Sequence, residues 1–301
     1  MAVTKKIEHL TSSYLPPTLA RVAKRTGVHL RYRFRVRGCR DGFRQFGNQY
    51  PQKVLFIAGL PKSGTTWLEK MVASYPGFHE LLIPDVAAYE LATGGSHDYD
   101  LPAHMFSRFK DMLVVTKMHV YGSPHNVEVL RVAGVRYVVL YRDLRDVAVS
   151  NFFYVRHTPW HPEYPVYARL SLSEGLAAFA DRTLGAYADW VRSWHQNRDP
   201  ATSLLLRYEQ MLSDPEAAMT CVAEHFDLDS SPQTVGRVVK AHDFKRLSGG
   251  RDQGQDSDRS FFRKGIAGDW KNHFTPEIKE TYKRLIGDFL IEFGYEKNYA
   301  W

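Results

Sequence analysis

The stretch that most constrains the fold is KVLFIAGLPKSGTTW, residues 53–67, in which an apolar run passes into a loop of small residues. The run over 53–59 has the length and composition of a buried strand. The residues of 60–66 predict a tight loop, and the threonines that close it predict a helix continuing through about Tyr75. A strand, a glycine-containing turn and a helix in this order are typical of α/β proteins.

Apolar runs of similar length recur along the chain and alternate with segments of helical periodicity. We predict further strands over 111–119, 135–143 and 202–208. Helices are predicted around 144–153, 173–194, 214–226 and 231–243. A last helix is predicted to begin at Thr275–Pro276 and to turn six residues inward: Tyr282, Leu285, Ile286, Phe289, Leu290 and Phe293. This alternation predicts an α/β, P-loop-type three-layer fold with a central parallel sheet flanked by helices.

Polar residues stand at or just beyond the ends of four predicted strands: Lys62, His119, Arg142 and Tyr208. Ligands of parallel sheets bind beyond the carboxyl ends of the strands, so we expect these residues to share one site. Lys117 and His119 are two positions apart in a predicted strand. They therefore share a face and can point into one cleft.

The loop after the first strand departs from the nucleotide-binding P-loop in the place of its lysine. Gly59 and Gly64 have the separation of G-x-x-x-x-G-K-[ST], but Thr65 follows the second glycine, and the lysine is Lys62. Such a loop still points backbone N–H groups at an anion. Arg142 follows its strand where a phosphoryl-transfer enzyme would supply an acid for Mg²⁺. We therefore predict a nucleotide with two separated phosphate groups, bound by lysine and arginine without a metal.

Three strings, taken in order, resemble the PAPS-dependent sulfotransferases, and closely their soluble, cytosolic-type branch. They are PKSGTTW (61–67), YRDLRDVAVS (141–150) and FFRKGIAGDWKNHFT (261–275), and the resemblance covers roughly residues 50–300. It implies a P-loop-type α/β domain that binds PAPS, 3′-phosphoadenosine 5′-phosphosulfate. The implied reaction moves the sulfonate to a hydroxyl of a small-molecule acceptor and leaves PAP, 3′-phosphoadenosine 5′-phosphate.

The same resemblance implies the residues that bind the cofactor. The 5′-phosphosulfate lies on the first loop, at Lys62, Ser63, Gly64, Thr65 and Thr66. The 3′-phosphate is held by Arg142, Ser150, Arg263, Lys264 and Gly265. The adenine lies between Trp67 and Phe244 and touches Tyr208. For Phe244 and Tyr208 simple core packing is the alternative, and His242 stands where the cytosolic enzymes commonly carry threonine.

The catalytic part of the resemblance is TKMH, residues 116–119. It implies His119 as the general base for the acceptor hydroxyl, and the unperturbed pKa of histidine, about 6.5, suits that role. Lys117 and Lys62 would stabilise charge on the bridging oxygen and sulfonate, with no metal. The alternatives are a P-loop kinase-like phosphoryl transferase, which a magnesium requirement would favour, and a non-enzymatic nucleotide-binding regulator.

The basic charge of the chain belongs to its first fifty residues. Residues 1–50 carry eleven Lys/Arg and two acids, against a formal charge of +7 for the whole chain. Within them RYRFRVR, residues 31–37, alternates arginine with other residues, which predicts a strand with the arginines on one face. We divide the chain into a basic N-terminal segment, 1–50, and a sulfotransferase domain, 51–301. The segment is either a solvated edge strand or arm, or a contact for an anionic partner such as a membrane surface; no nucleic-acid module accompanies it.

The remaining features bear on location and partners. Cys39 and Cys221 give no disulfide framework, and no segment approaches the roughly 20 apolar residues of a membrane span, so we expect a cytoplasmic protein. The aromatic stretch 152–167, with His157 and His161, forms either an acceptor-pocket wall or a surface loop. The acceptor stays open among alcohols, phenols, lipids and sugars.

Two segments near the C-terminus complete the predictions. The long polar segment 246–268 is predicted to be a lid ordered by nucleotide, because such loops in compact domains are commonly lids. KNHFTPEIKE, residues 271–280, resembles the dimerisation motif of the family, with Pro276 in place of valine. A plain helix start is the alternative, so a homodimer stays open.

Overall fold

The structure is a computed structural model that describes residues 15–95 and 98–301. Within these ranges five strands form one sheet: β1 (Val54–Gly59), β2 (His79–Glu80), β3 (Val114–Met118), β4 (Tyr137–Tyr141) and β5 (Ser203–Arg207). Their order is β2-β3-β1-β4-β5, and every neighbouring pair is parallel. The predicted central parallel sheet is confirmed.

The helices connect the strands and cover both faces of the sheet. Their bounds are α1 Pro17–Phe46, α2 Thr65–Val72, α3 Pro84–Thr93, α4 Pro124–Val132, α5 Leu144–Arg156, α6 Tyr164–Tyr167, α7 Leu172–Phe179, α8 Gly185–Asn197, α9 Tyr208–Ser213, α10 Pro215–His225, α11 Pro232–Ala241, α12 Phe244–Leu247 and α13 Pro276–Glu292. A π-helical turn, Ala180–Leu184, joins α7 to α8. Short 3₁₀ turns lie at Gly47–Gln49, Phe106–Phe109 and Asp269–Asn272.

Alternate residues of β1 supply the two halves of the core. Phe56 and Ala58 pack with residues of α5, α8 and α13 on one face of the sheet. Leu55 and Ile57 pack with residues of α2, α10 and α11 on the other. All six residues of β1 are buried, as expected for a central strand of a parallel sheet covered on both faces. The fold is therefore three-layered, as predicted.

The predicted strands correspond to β1, β3, β4 and β5, with ends one to three residues shorter. The last helix starts as predicted, since the Thr275 side chain accepts a hydrogen bond from the Ile278 N–H and Pro276 occupies the first turn. Two details were wrong: α2 ends at Val72 rather than near Tyr75, and Leu285 is 48 % exposed rather than inward-facing.

The predicted strand over 31–37 is wrong, because these residues lie in the middle of the 30-residue helix α1. Residues two apart on a helix point about 200° apart, so the arginines do not share one face. Tertiary packing decides the conformation: Ala20, Val28, Cys39 and Gly42 are buried against the body of the protein. No described helix is both long enough and apolar enough to cross a membrane.

Candidate active site

The loop between β1 and α2 has the backbone of a tight anion cradle. Lys62 and Gly64 both have left-handed backbone conformations, with φ of 65° and 85°. A side chain at Gly64 would place its Cβ 2.7 Å from the Tyr208 ring, and one at Gly59 would collide with Thr65. Glycine is therefore required at both positions for the loop to close onto α2.

The loop opens on a cavity of about 660 Å³ beyond the carboxyl ends of β1, β3 and β4. Every catalytic or cofactor-binding residue predicted above lines it except Ser63, which is buried beneath the loop. The structure thus brings together Lys62, Gly64, Thr65, Thr66, Trp67, Lys117, His119, Arg142, Ser150, Tyr208, Phe244, Arg263, Lys264 and Gly265. The roles of these residues stay predictions.

The cavity has the donors that a doubly phosphorylated nucleotide requires. Arg142 lines the cavity, and its Nε is buried and has no hydrogen-bond partner among the described residues. Leaving such a group unsatisfied costs about 1–3 kcal/mol, so an anion that accepts from it is favoured. A side chain at Gly265 would meet the Phe244 ring at 2.4 Å, so glycine is required there for the backbone to approach that ring. The residues fit PAPS.

Arg142 is fixed at the end of β4 by several contacts, among them a hydrogen bond from Nη1 to the Lys62 carbonyl at 3.4 Å. Its Nη2 donates to Asp146 Oδ2 at 3.2 Å and to the Ile266 carbonyl at 2.8 Å, and its guanidinium lies 4.2 Å from the Tyr208 ring centre. Asp146 also accepts from the backbone N–H groups of Gly268, at 2.7 Å, and Trp270, at 3.0 Å. One buried carboxylate therefore joins Arg142 to the C-terminal end of the segment that carries Arg263 and Lys264.

Arg263 and Lys264 already have carboxylate partners. Arg263 contacts Asp269, and Lys264 donates to the same carboxylate at 2.8 Å. Asp256 lies 2.7 Å from Arg263 and 3.2 Å from Lys264. Burial alone would raise the pKa of Asp269, but hydrogen bonds from His273, Arg263 and Lys264 hold it below its usual range. Asp269 is therefore ionised and orients both cations.

Aromatic residues form the predicted adenine end of the cavity. Trp67 Nε1 donates to the His242 carbonyl at 2.9 Å, and the Trp67 ring meets the Tyr208 ring edge-on at 6.4 Å. The His242 side chain turns back to the Val238 carbonyl, with Nδ1 at 2.9 Å from that oxygen. In this chain it is thus the backbone of residue 242 that positions Trp67.

His119 lies at the end of β3 and contacts the end of β1. Its Nδ1 is hydrogen-bonded to the Gly59 carbonyl, and its own carbonyl accepts from Trp190 Nε1 at 2.9 Å. A carbonyl can only accept, so Nδ1 carries the proton and Nε2 is the nitrogen that can take another. Burial lowers the pKa of His119, although the Glu90 carboxylate opposes that change. The ring is therefore neutral near pH 7, as a general base must be.

Lys117 is held between α2 and the cavity. Its Nζ donates to Thr66 Oγ1 and lies 2.8 Å from Glu69 Oε2. Thr66 and Glu69 belong to the first turns of α2, so the same helix that closes the loop also positions this lysine. Lys117 and His119 both line the cavity, so the two side chains share one cleft, as their spacing predicts.

Lys62 is surrounded by rings and by other cations. Its Nζ lies 3.8 Å from the Tyr154 ring centre and 4.8 Å from that of Phe261. Burial, followed by the charges of Arg142, Lys117 and Arg263, lowers the pKa of Lys62 from 10.5 to about 7. Such a lysine becomes a full cation when an anion enters.

The aromatic stretch 152–167 contributes to the cavity wall rather than to a separate surface loop. Tyr154, Trp160 and His161 line the cavity, together with Leu91 of α3 and Tyr187 of α8. Burial, followed by the charge of Lys62, lowers the pKa of His161 to about 4. His161 is therefore neutral near pH 7, and aromatic rings form much of this part of the wall, beside the charged side chains of Lys24, Lys62 and Glu90.

Sequence reasoning missed the residues that organise the site from a distance. Asp146 and Asp269 gave no signal beyond lying within recognised strings, because their partners are distant in sequence or belong to an irregular segment. Arg251 is another residue that the sequence did not reveal. It donates to the Gln255 carbonyl at 2.9 Å and to Ser260 Oγ at 2.8 Å, and it also contacts the carbonyls of residues 262 and 263. It fixes the shape of the predicted lid. That nucleotide orders this lid stays a prediction.

Comparison with known proteins identifies the family. A model described as "Sulfotransferase domain" matches residues 52–294, most of the chain. The chain belongs to the sulfotransferase family. Sulfotransferase 1 family member D1 of Rattus norvegicus is 24 % identical over 273 residues, covering 80 % of this chain and 86 % of that protein. Flavonol 3-sulfotransferase of Flaveria bidentis is 26 % identical over 274 residues, covering 80 % and 82 %.

Solved structures agree on the fold. Mouse sulfotransferase SULT7A1, complexed with PAP, superposes with a TM-score of 0.61 at 18 % identity, covering 83 % of this chain and 89 % of that one. Retinol dehydratase, complexed with androsterone and PAP, gives 0.58 at 19 % identity, covering 83 % and 85 %. The predicted family, fold, reaction class and PAPS donor are confirmed, and the kinase-like alternative is not favoured.

Proposed function

We propose that this sulfotransferase moves the sulfonate of PAPS to the hydroxyl of an apolar, ring-bearing small molecule, an alcohol or a phenol. The observation that carries the proposal is the meeting of His119, Lys117 and Lys62 in one cavity with an aromatic wall. Rings such as Tyr154 and Tyr187 suit an apolar acceptor better than a sugar, which would need more polar partners. A relative named for flavonols supports a ring-bearing acceptor.

The chain's own residues would hold the donor at three places. Lys62, the loop amides and the hydroxyls of Thr65 and Thr66 would bind the 5′-phosphosulfate. Arg142, Ser150, Arg263 and Lys264 would bind the 3′-phosphate, with Gly265 leaving room. Trp67, Tyr208 and Phe244 would contact the adenine. When bound, PAPS supplies the sulfonate group. Support comes from the shared cavity and from the buried, unpartnered Nε of Arg142.

The proton of the acceptor hydroxyl would pass to Nε2 of His119. The Gly59 carbonyl fixes the other ring nitrogen as the protonated one, and Trp190 anchors the backbone of His119. Lys117 and Lys62 would place positive charge beside the oxygen that leaves with the nucleotide. These residues need no metal, so activity should survive a chelator; a magnesium requirement would instead favour phosphoryl transfer.

The proposal is tested by incubating the protein with PAPS and a panel of phenols, alcohols, amines and sugars, and detecting sulfonated products by mass. We expect phenols or alcohols to be modified. His119→Ala should lower turnover at least 10²-fold, the typical contribution of general-base assistance, without changing PAP affinity. His104→Ala, which alters an exposed histidine outside the cavity lining, is the matched control and should keep turnover. Sulfonation of sugars alone, or normal turnover in His119→Ala, would contradict the proposal.

We further propose a cytoplasmic location, supported by a relative named cytosolic sulfotransferase 11 of Arabidopsis thaliana, which is 24 % identical over 270 residues. Cell fractionation tests it. A homodimer through the segment 271–280 stays a prediction, because the helix start at Thr275–Pro276 accounts for that segment by itself. The division of the chain at residue 50 also stays a prediction. Light scattering after size exclusion measures the oligomeric state.

A further inference from the structure

Helix α1 has two faces of different character. Its inner face is buried against the body at Ala20, Val28 and Cys39, and Lys24, Val28 and Arg31 line the active-site cavity. The helix therefore separates that cavity from the outside. The sulfotransfer reaction proposed above assigns no role to the other face of the helix.

The outer face of α1 carries an unusual share of exposed apolar side chains. Nine large hydrophobic residues are exposed in the described part of the chain, and four of them lie on this helix: Leu19 (54 %), Val22 (63 %), Leu30 (52 %) and Phe34 (70 %). At about 100° per residue these four positions fall on one side of the helix. A cluster of this kind, rather than scattered single residues, marks an interaction surface.

Arginines interleave with these apolar residues on the same side. Arg33, Arg37, Arg40 and Arg44 are exposed there, Arg25 is exposed at the edge of this side, and Asp41 is the one acid of α1. Arg40 lies 3.6 Å from Asp111, and Arg44 lies 2.8 Å from Asp41. Arg25, Arg33 and Arg37 form no ion pair within the described ranges. The outer face of α1, defined by these arginines and the four apolar residues, thus combines exposed apolar side chains with several cations on one surface.

We propose that the outer face of α1 docks on an anionic lipid bilayer. On such a surface the exposed apolar side chains can enter the acyl boundary of a bilayer while the neighbouring cations meet lipid phosphates. Charge alone would also suit a nucleic acid, but a phosphate backbone offers no apolar counterpart to Val22, Leu30 and Phe34. The contact is peripheral, and it brings the cavity behind α1 within about one helix diameter, 10 Å, of the bilayer.

The test is co-flotation of the full chain with vesicles of phosphatidylcholine alone and with 30 mol % phosphatidylserine added. We expect binding to the anionic vesicles only, weakening as salt increases. Arg33→Glu combined with Phe34→Ser should weaken partitioning roughly 30-fold or more, because one cation is reversed and one buried ring is lost. Neither residue lines the cavity, so PAP affinity and turnover should be unchanged.

The matched control is Arg284→Glu with Leu285→Ser, an adjacent exposed arginine and apolar residue on α13. It makes the same chemical change and should bind vesicles like the wild type. The single variant Phe34→Ser separates the possible partners: it should weaken vesicle binding several-fold. Wild-type binding to neutral and anionic vesicles alike would overturn the proposal. The proposal would also be overturned if Phe34→Ser bound anionic vesicles as well as the wild type and the protein bound duplex DNA tightly. The outer face of α1 would then be a binding site for polyanions.

Discussion

Lys62 is the group through which nucleotide binding should depend most strongly on pH. Its pKa of about 7 in the free protein compares with an ordinary value of 10.5, so up to about 5 kcal/mol opposes the charged form. The cause is burial together with three neighbouring cations. A bound phosphate group removes that penalty and returns the pKa toward its ordinary value. Binding should therefore take up a proton wherever the free lysine is neutral.

The uptake can be worked out from the two pKa values. With a free pKa near 7, Lys62 is about nine-tenths protonated at pH 6, half protonated at pH 7 and one-tenth protonated at pH 8. Binding of PAP should take up about 0.1, 0.5 and 0.9 protons by this residue at those three pH values. Above pH 7 the same linkage should weaken binding up to tenfold for each pH unit.

Titration calorimetry in two buffers of different ionisation enthalpy measures the uptake directly. Lys62→Arg keeps the cation but does not titrate, so it should bind PAP with about 0.9 fewer protons taken up at pH 8. Lys62→Met should also lose the uptake, and with it most of the affinity. The difference between wild type and Lys62→Arg removes contributions from His119 and from the ligand. Equal uptake in both proteins at pH 8 would refute the assigned pKa.

Two further predictions concern the carboxylates beside the cations. Asp256→Asn removes a partly exposed carboxylate that competes with PAP for Arg263 and Lys264. The affinity for PAP should therefore rise about fivefold, which corresponds to the free energy of one weak ion pair. An unchanged or weaker Kd in calorimetry would contradict this. Asp146→Ala leaves Arg142 and two backbone N–H groups without their buried acceptor, so the free energy of unfolding should fall by about 3–5 kcal/mol. Urea denaturation measures the free energy of unfolding. The control Asp111→Ala breaks an exposed ion pair with Arg40 and should change that free energy by at most about 1 kcal/mol.

The sequence was informative wherever local pattern and topology agree. The runs that became β1, β3 and β4 are apolar throughout because both faces of a central parallel strand are covered. Once those strands are recognised, Lys62, His119 and Arg142 must converge, because the carboxyl ends of parallel strands lie at one edge. Most of the candidate site could therefore be found without coordinates, and the structure placed all but one of its residues around one cavity.

What the sequence did not reveal depends on contacts between distant segments. The alternation in RYRFRVR suggests a strand by period alone, but burial of Val28 and Cys39 of α1 favours a helix there. The role of Asp146 depends on Gly268 and Trp270, more than 120 residues away, and no local pattern encodes such a contact. Arg251 likewise acts inside an irregular segment that has no periodicity to read.

The charges around the cavity distinguish Lys62 from the neighbouring cations. Lys117 has Glu69 at 2.8 Å, Arg142 has Asp146 at 3.2 Å, and Lys264 has Asp269 at 2.8 Å. Lys62 instead packs on two aromatic rings and has no carboxylate partner in the described part of the chain.

An incoming anion therefore gains most from this lysine, because the other cations are already partly compensated. One of the two rings belongs to Phe261, within the polar segment 246–268 that carries Arg263 and Lys264. Lys62 thus links the phosphate loop to that segment. Drawing its ammonium toward a phosphate should alter the contact with Phe261, so protonation, nucleotide binding and the position of the segment are coupled through one side chain.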